Sequence, residues 1–272
     1  MRRLALAACL AVSGLVGAGC GSGGGDPYAI PAADPYGSGE RLTDLLGPAT
    51  WIEDDNPDGA ACLSLPIDRE VDVPGLTISA IDSFDETGSG ATGNVYVQDS
   101  RAAPVAFSGI TVFEPGFSPP DLRVVAGDVV DVRGTLSEFP GPSSGPFPFC
   151  QTLPEIGGAM NLRFDGAAVP VADISVEDLT TYDKMRQWLG VLVRVKNVTI
   201  AAAPTSSSGR YSALLQVSGG ATQQPSINNE LFDLENDGPP LAQGTVLSSV
   251  TGVVTFFYAV HIAPRSPADI VP

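Results

Sequence analysis

The chain holds a single histidine, His261, which excludes His-rich metal centres and any mechanism that needs two imidazoles. By the alternation of its segment, His261 falls with Thr251, Thr255 and Ala259, opposite the apolar set Val250, Val254, Phe256, Tyr258, Val260 and Ile262. This predicts a histidine that faces solvent or a cleft, with no nucleophile or second ligand near it in sequence. Carboxylates are the next candidates. Asp54-x-Asn56-x-Asp58-Gly59 matches the first half of an oxygen-rich calcium loop, in which alternate side chains point at one cation and the glycine permits a sharp turn. The twelfth position is Leu65 where a bidentate Glu is required, so an EF-hand is rejected. No cofactor is expected; only a looser, weak calcium site on Asp54, Asn56 and Asp58 survives as a candidate. Asp233-x-Glu235-x-Asp237-Gly238 is a fainter version of the same turn.

Binding chemistry has two further sources. Lys184, Arg186, Arg194 and Lys196 fall close together, and the alternation of a strand puts Arg194 and Lys196 on one face, as a local anion site requires. Tyr96, Phe107, Phe113 and Phe147 are aromatic residues able to stack on a ligand. Phe147 belongs to the proline-stiffened loop from Pro140 to Cys150, which reads either as a ligand-binding loop or as a plug for one end of a barrel.

These residues sit on a strongly acidic chain. The 31 Asp and Glu outnumber 14 Lys and Arg, for a formal net charge of −17 over 272 residues. Such a charge repels polyphosphate and argues against a protein that coats nucleic acid. A hydrophobic content of 43% is enough for a substantial core and excludes wholesale disorder.

Residues 1–19 have the layout of an export signal: Arg2 and Arg3, an apolar run from Leu4 to Val16, then Gly17-Ala18-Gly19 before Cys20. The run is too short to span a membrane. Small residues directly before a cysteine resemble the lipobox of bacterial lipoproteins, which implies a lipid on Cys20 and an exported chain anchored to the membrane of the cell envelope. Gly17 stands where that motif usually has Leu. Gly21-Ser22-Gly23-Gly24-Gly25 then reads as a flexible tether. Outside the cytoplasm the two remaining cysteines, Cys62 and Cys150, are expected to form a disulfide.

The rest is a text of short strands. Val130, Val132, Gly134 and Leu136 alternate with Asp131, Arg133, Thr135 and Ser137, the period of a half-buried strand. Shorter strands are read over Leu76 to Asp82, Asn94 to Gln98 and Gly109 to Phe113. The one good helical pattern runs from Val176 to Trp188. Strands then resume over Gly190 to Ile200, Tyr211 to Val217, Ile227 to Phe232 and, as one long strand, Gly244 to Ile262. Glycines inside Val-rich strands and the endings Ala172-Asp173-Ile174 and Ala268-Asp269-Ile270 recur in the same order, which indicates two copies of one β unit.

The strings Gly93-Asn94-Val95-Tyr96-Val97-Gln98-Asp99, Gly109-Ile110-Thr111-Val112-Phe113 and Gly127-Asp128-Val129-Val130-Asp131-Val132-Arg133-Gly134 resemble the OB-fold-like domain that accompanies bacterial extracellular endonucleases and recurs in envelope lipoproteins. Trp188-Leu189-Gly190-Val191-Leu192-Val193 and Ala263-Pro264-Arg265-Ser266-Pro267-Ala268-Asp269-Ile270 resemble it a second time. The resemblance implies an all-β chain of two tandem OB-fold-like small barrels with a short connecting helix. The expected organisation is a signal peptide over 1–19, a tether and acidic segment over 20–69, and barrels over 70–182 and 183–272. The nuclease domain that would supply chemistry is absent from this chain, so the resemblance implies an accessory binding module without catalysis, presenting barrel loops to a protein or glycan. Two alternatives stay open: binding of single-stranded nucleic acid, against which the charge argues, and a carboxylate-based metal-dependent phosphodiesterase.

Overall fold

A computed structural model describes residues 39–54, 62–66, 68–90, 92–99, 105–118, 123–219 and 221–272. The segments expected as export signal and tether, Cys20, Asn56, Asp58 and the side chain of Asp54 lie outside the described residues.

Alternation builds the first unit. Five strands, β3 (Arg69–Ile81), β4 (Val95–Asp99), β5 (Gly109–Ser118), β6 (Asp128–Phe139) and β7 (Leu153–Gly166), follow a short hairpin of β1 (Ile52–Asp54) and β2 (Cys62–Ser64). They form a closed barrel in the order β3-β4-β5-β7-β6, with β6 returning to β3. Only the β5–β7 pair is parallel. In β6 the inward residues Val130, Val132 and Leu136 are fully buried while Arg133 is exposed, as the period-two pattern requires. Helix α1 (Leu42–Leu46) carries apolar residues at 42, 45 and 46, and all three, with Leu65, are buried in the barrel core. The segment before residue 70 therefore contributes packing to this barrel as well as the approach to it.

The connector differs from the continuous helix expected over Val176 to Trp188. It is a 3-10 turn, Val176–Leu179, followed by α2 (Tyr182–Arg186). Ser175 caps the first piece reciprocally with Asp178, and the extended Thr181 caps the second by accepting from the Lys184 amide. Two caps only six residues apart break one periodic stretch into two short turns.

Eight strands make the second unit: β8 (Ala172–Asp173), β9 (Leu192–Thr199), β10 (Thr205–Ser207), β11 (Arg210–Leu214), β12 (Ser226–Asn228), β13 (Val246–Phe257), β14 (Ala259–Ala263) and β15 (Ile270–Val271). The sheet runs β10-β11-β12-β14-β13-β9-β8, with β15 on β13. Just past its end β9 meets the chain following β11: Ile200 bridges Leu215, the Ala201 amide donates to Leu214 O (2.7 Å) and the Gln216 amide to Thr199 O (2.8 Å). Among β9, β11, β12, β14 and β13, the only parallel pair is β12–β14, the third and fifth strands of the five, as in the first unit.

The single strand expected over Gly244 to Ile262 is two. Tyr258, at φ 60°, turns the chain so that Phe257 pairs with Ala259 and Thr255 with His261. The strand expected over Ile227 to Phe232 is shorter, ending at Asn228, and α3 (Leu234–Asp237) follows. The fold is mostly β and contains a closed five-stranded barrel.

Candidate functional site at the seam between the two units

The outer face of β4 carries Tyr96 and Gln98, and both are buried although neither points into the barrel. The second unit covers them. Ala80 and Tyr96 pack with Leu192, Leu231, Val253 and Ala263 in a small core of their own. Gln98 uses both ends of its amide, accepting from the Leu192 amide (2.9 Å) and donating to Pro170 O (3.1 Å). The Phe107 amide donates to Gln187 O (2.6 Å). Gly109 and Gly190 meet backbone to backbone, and a Cβ on either would collide with main-chain atoms at the other. A side chain at these two positions is incompatible with the seam.

Polar groups gather at one side of this contact. Glu230 is half-buried and accepts three hydrogen bonds: from Tyr96 Oη across the seam, from Thr255 Oγ1 (2.6 Å) and from Asn228 Nδ2 (3.2 Å). Asp82, at the end of β3, is only 5% exposed, and its Oδ1 has no hydrogen-bond partner among the described residues. Burial, reinforced by the charges of Glu230, Glu86 and Asp85, pushes the Asp82 carboxyl up to about 7. Burial raises Glu86 as well, despite Arg210 at 3.6 Å, and drives the Tyr96 phenol well above its ordinary range. His261 shares a hydrogen bond with Ser226 Oγ (2.8 Å), because the parallel pairing of β12 and β14 sets the two residues side by side. Burial lowers the imidazole, with the Glu230 charge pulling the other way. The arrangement can hold and share a proton between neighbouring carboxyls. Ser226 is 2% exposed, so it offers no open approach to a substrate carbonyl.

The residues singled out from the sequence are dispersed. Tyr96 lies in the seam. Phe107 is partly buried with its ring 5.9 Å from that of Trp51. Phe147 is 6% exposed inside the second unit's core, edge-on to Phe139, Phe256, Phe257 and Tyr258. Phe113 alone of the four is exposed, at 46%, so the aromatic residues share no stacking surface. Arg194 and Lys196 do share a face, where both bind Asp173 (2.6 and 2.7 Å) and hold its carboxyl down at about 2. Arg186 is buried against Glu138 at 2.5 Å. The acidic turn from Asp233 to Gly238 is α3, with Asp233 accepting from the Asn236 amide (3.1 Å). Among the described residues no group of three or more His, Cys, Asp or Glu is arranged to hold a metal ion.

Cys62 and Cys150 form a disulfide, with Cα atoms 5.5 Å apart, that staples the β1–β2 hairpin to the end of the Pro140 to Cys150 loop. Asp82, Ser226 and Glu230 escaped the sequence reading. Each is an isolated polar residue in its own segment, and only the strand order and the docking of the units bring them to Tyr96, Thr255 and His261. No family model matches the chain, and no curated protein or solved structure is significantly similar to it.

Proposed function

We propose that the chain is an exported, lipid-anchored accessory module made of two OB-fold-like barrels, which binds a protein or glycan of the cell envelope and catalyses no reaction. The fold part of this reading is supported by strand order: among β3 to β7 of the first unit, and among β9, β11, β12, β13 and β14 of the second, the first and fourth strands pair and the third and fifth run parallel. The observation that carries the binding reading is the fate of the reactive groups. Tyr96, Thr255 and Asn228 all point at Glu230, His261 is engaged with a buried Ser226, and the face that joins them is closed by packing. A general base or nucleophile needs an approach for substrate. What remains open is the loop and strand surface elsewhere, on a chain whose charge of −17 selects against polyanionic partners.

Two measurements test the proposal. Mass spectrometry of the mature protein is expected to show a lipid-modified Cys20 at the N-terminus; an unmodified start at a neighbouring residue contradicts the anchor. The full mature chain, offered phosphodiester, ester and glycosidic reporters with divalent metals, is expected to give no turnover above buffer. Turnover that falls on Glu230→Gln would make the seam an active site and overturn the binding reading.

A further inference from the structure

Two carboxyls at the seam have unequal means of holding charge: Glu230, and Asp82, which follows the seam-packed Ala80 by two residues and feels the Glu230 charge. Glu230, from the second unit, is the target of three donors: Tyr96, Thr255 and Asn228. Asp82, from the first unit, is nineteen-twentieths buried and its Oδ1 is offered none among the described residues. Two neighbouring acids with only one set of donors cannot both ionise without cost, and the proton belongs on the one that lacks donors. We propose that the seam is a proton-operated latch, closed while Asp82 carries a proton beside the Glu230 carboxylate and loosened when that proton leaves, so that the covered face of β4 becomes accessible as pH rises.

The groups facing Asp82 come from every side of the cluster. Asp85 and Glu86 lie on its own loop, Tyr96 on β4, and Glu230 beyond the end of β12, while Arg210 on β11 binds Glu86 and His261 on β14 feels Glu230. Asp85, Glu86 and Glu230 all favour the proton on Asp82. His261 works in the opposite sense, since its folded form binds a proton less readily than the free side chain.

The direction follows from linkage. The closed seam holds the Asp82 proton up to about pH 7, against 3.8 for the ordinary side chain, so closure is most favoured below 3.8, weakens as pH rises from there to about 7, and changes no further above it. One proton gives at most about a tenfold change in the opening equilibrium per pH unit inside that window. The Leu192 amide, which donates to Gln98 across the seam, is a direct reporter.

Hydrogen exchange of the full mature chain at pH 5.5 and 7.5, corrected for the intrinsic rate, tests the latch at the Leu192 and Phe107 amides, both of which donate across the seam. The native chain is expected to lose roughly tenfold or more protection there between the two pH values, and Asp82→Asn to lose much less. An equal loss in native and Asp82→Asn chains, or no loss in the native chain, overturns the latch. Glu230→Gln covers the case in which Asp82→Asn fails to fold: it removes a neighbouring charge and leaves burial, the larger cause, in place, so it should reduce the dependence without abolishing it, and an undiminished dependence in that variant overturns the proposal.

Discussion

Arg186 answers to three parts of the chain at once. Its guanidinium binds Glu138 of β6 at 2.5 Å, donates to Leu63 O of β2 and lies over the Trp51 ring at 4.4 Å. Both members of the ion pair are nearly sealed from water, so removing one strands the charge of the other. Arg186→Ala is expected to lower unfolding stability by about 3 to 5 kcal/mol in urea titration. Asp173 shows the opposite regime at the surface. Its carboxyl is depressed to about 2 by hydrogen bonds from Arg194 and then Lys196, so its contribution is present above 3.8 and lost as pH falls through about 2. Carboxyl NMR titration should place Asp173 near 2 in the native chain and return it toward 3.8 when Arg194 and Lys196 are both changed to Ala; an unmoved midpoint contradicts the pairing. Arg194 and Lys196 were legible as neighbours because strand parity is local. Their engagement with Asp173 was not, since it depends on β8 running parallel to β9.

The loop from Pro140 to Cys150 settles on the second unit. Its backbone turns at Gly141, Phe147 enters the neighbouring core, and Gly145 O accepts from Tyr258 Oη. This favours the plug over the free ligand loop at Phe147 itself. Phe147→Ala is expected to cost about 3 to 5 kcal/mol, read as a lower urea midpoint at unchanged slope. A fragment of 181–272 lacks Phe147 and the β8 pairing, and should therefore unfold at lower denaturant than the same strands in the full chain. Strands such as β6 were plain in the sequence because hydrophobic alternation reports one buried face. The turn between β13 and β14 was hidden because Tyr258 adopts φ 60° without a glycine, asparagine or proline to mark it. The connector misled in the other direction: Leu179, Tyr182 and Met185 have helical spacing, but Thr181 is extended and starts a new cap.

Across the whole molecule, the first unit's β4 face and the second unit's β13–β14 hairpin are joined by an apolar patch, a glycine contact and the acidic cluster. Gly109→Ala should loosen that joint, costing about 1 to 3 kcal/mol and raising exchange at Leu192, because its Cβ would have to displace the backbone at Gly190. The repeated glycines and the two Ala-Asp-Ile endings point to a repeat; the docking is not legible in the sequence, since nothing local in Tyr96 or Gln98 distinguishes a residue facing a partner from one facing solvent. Of the acids at this joint, Asp82 is the one closed off from solvent in the folded chain. Carbodiimide labelling of carboxyls in the intact protein at pH 5.5, where Asp82 keeps its proton and the seam is closed, tests this. Asp173, on the surface, should label fast and Asp82 far more slowly; Asp82 labelling at the rate of Asp173 would mean an open cleft and contradict the account.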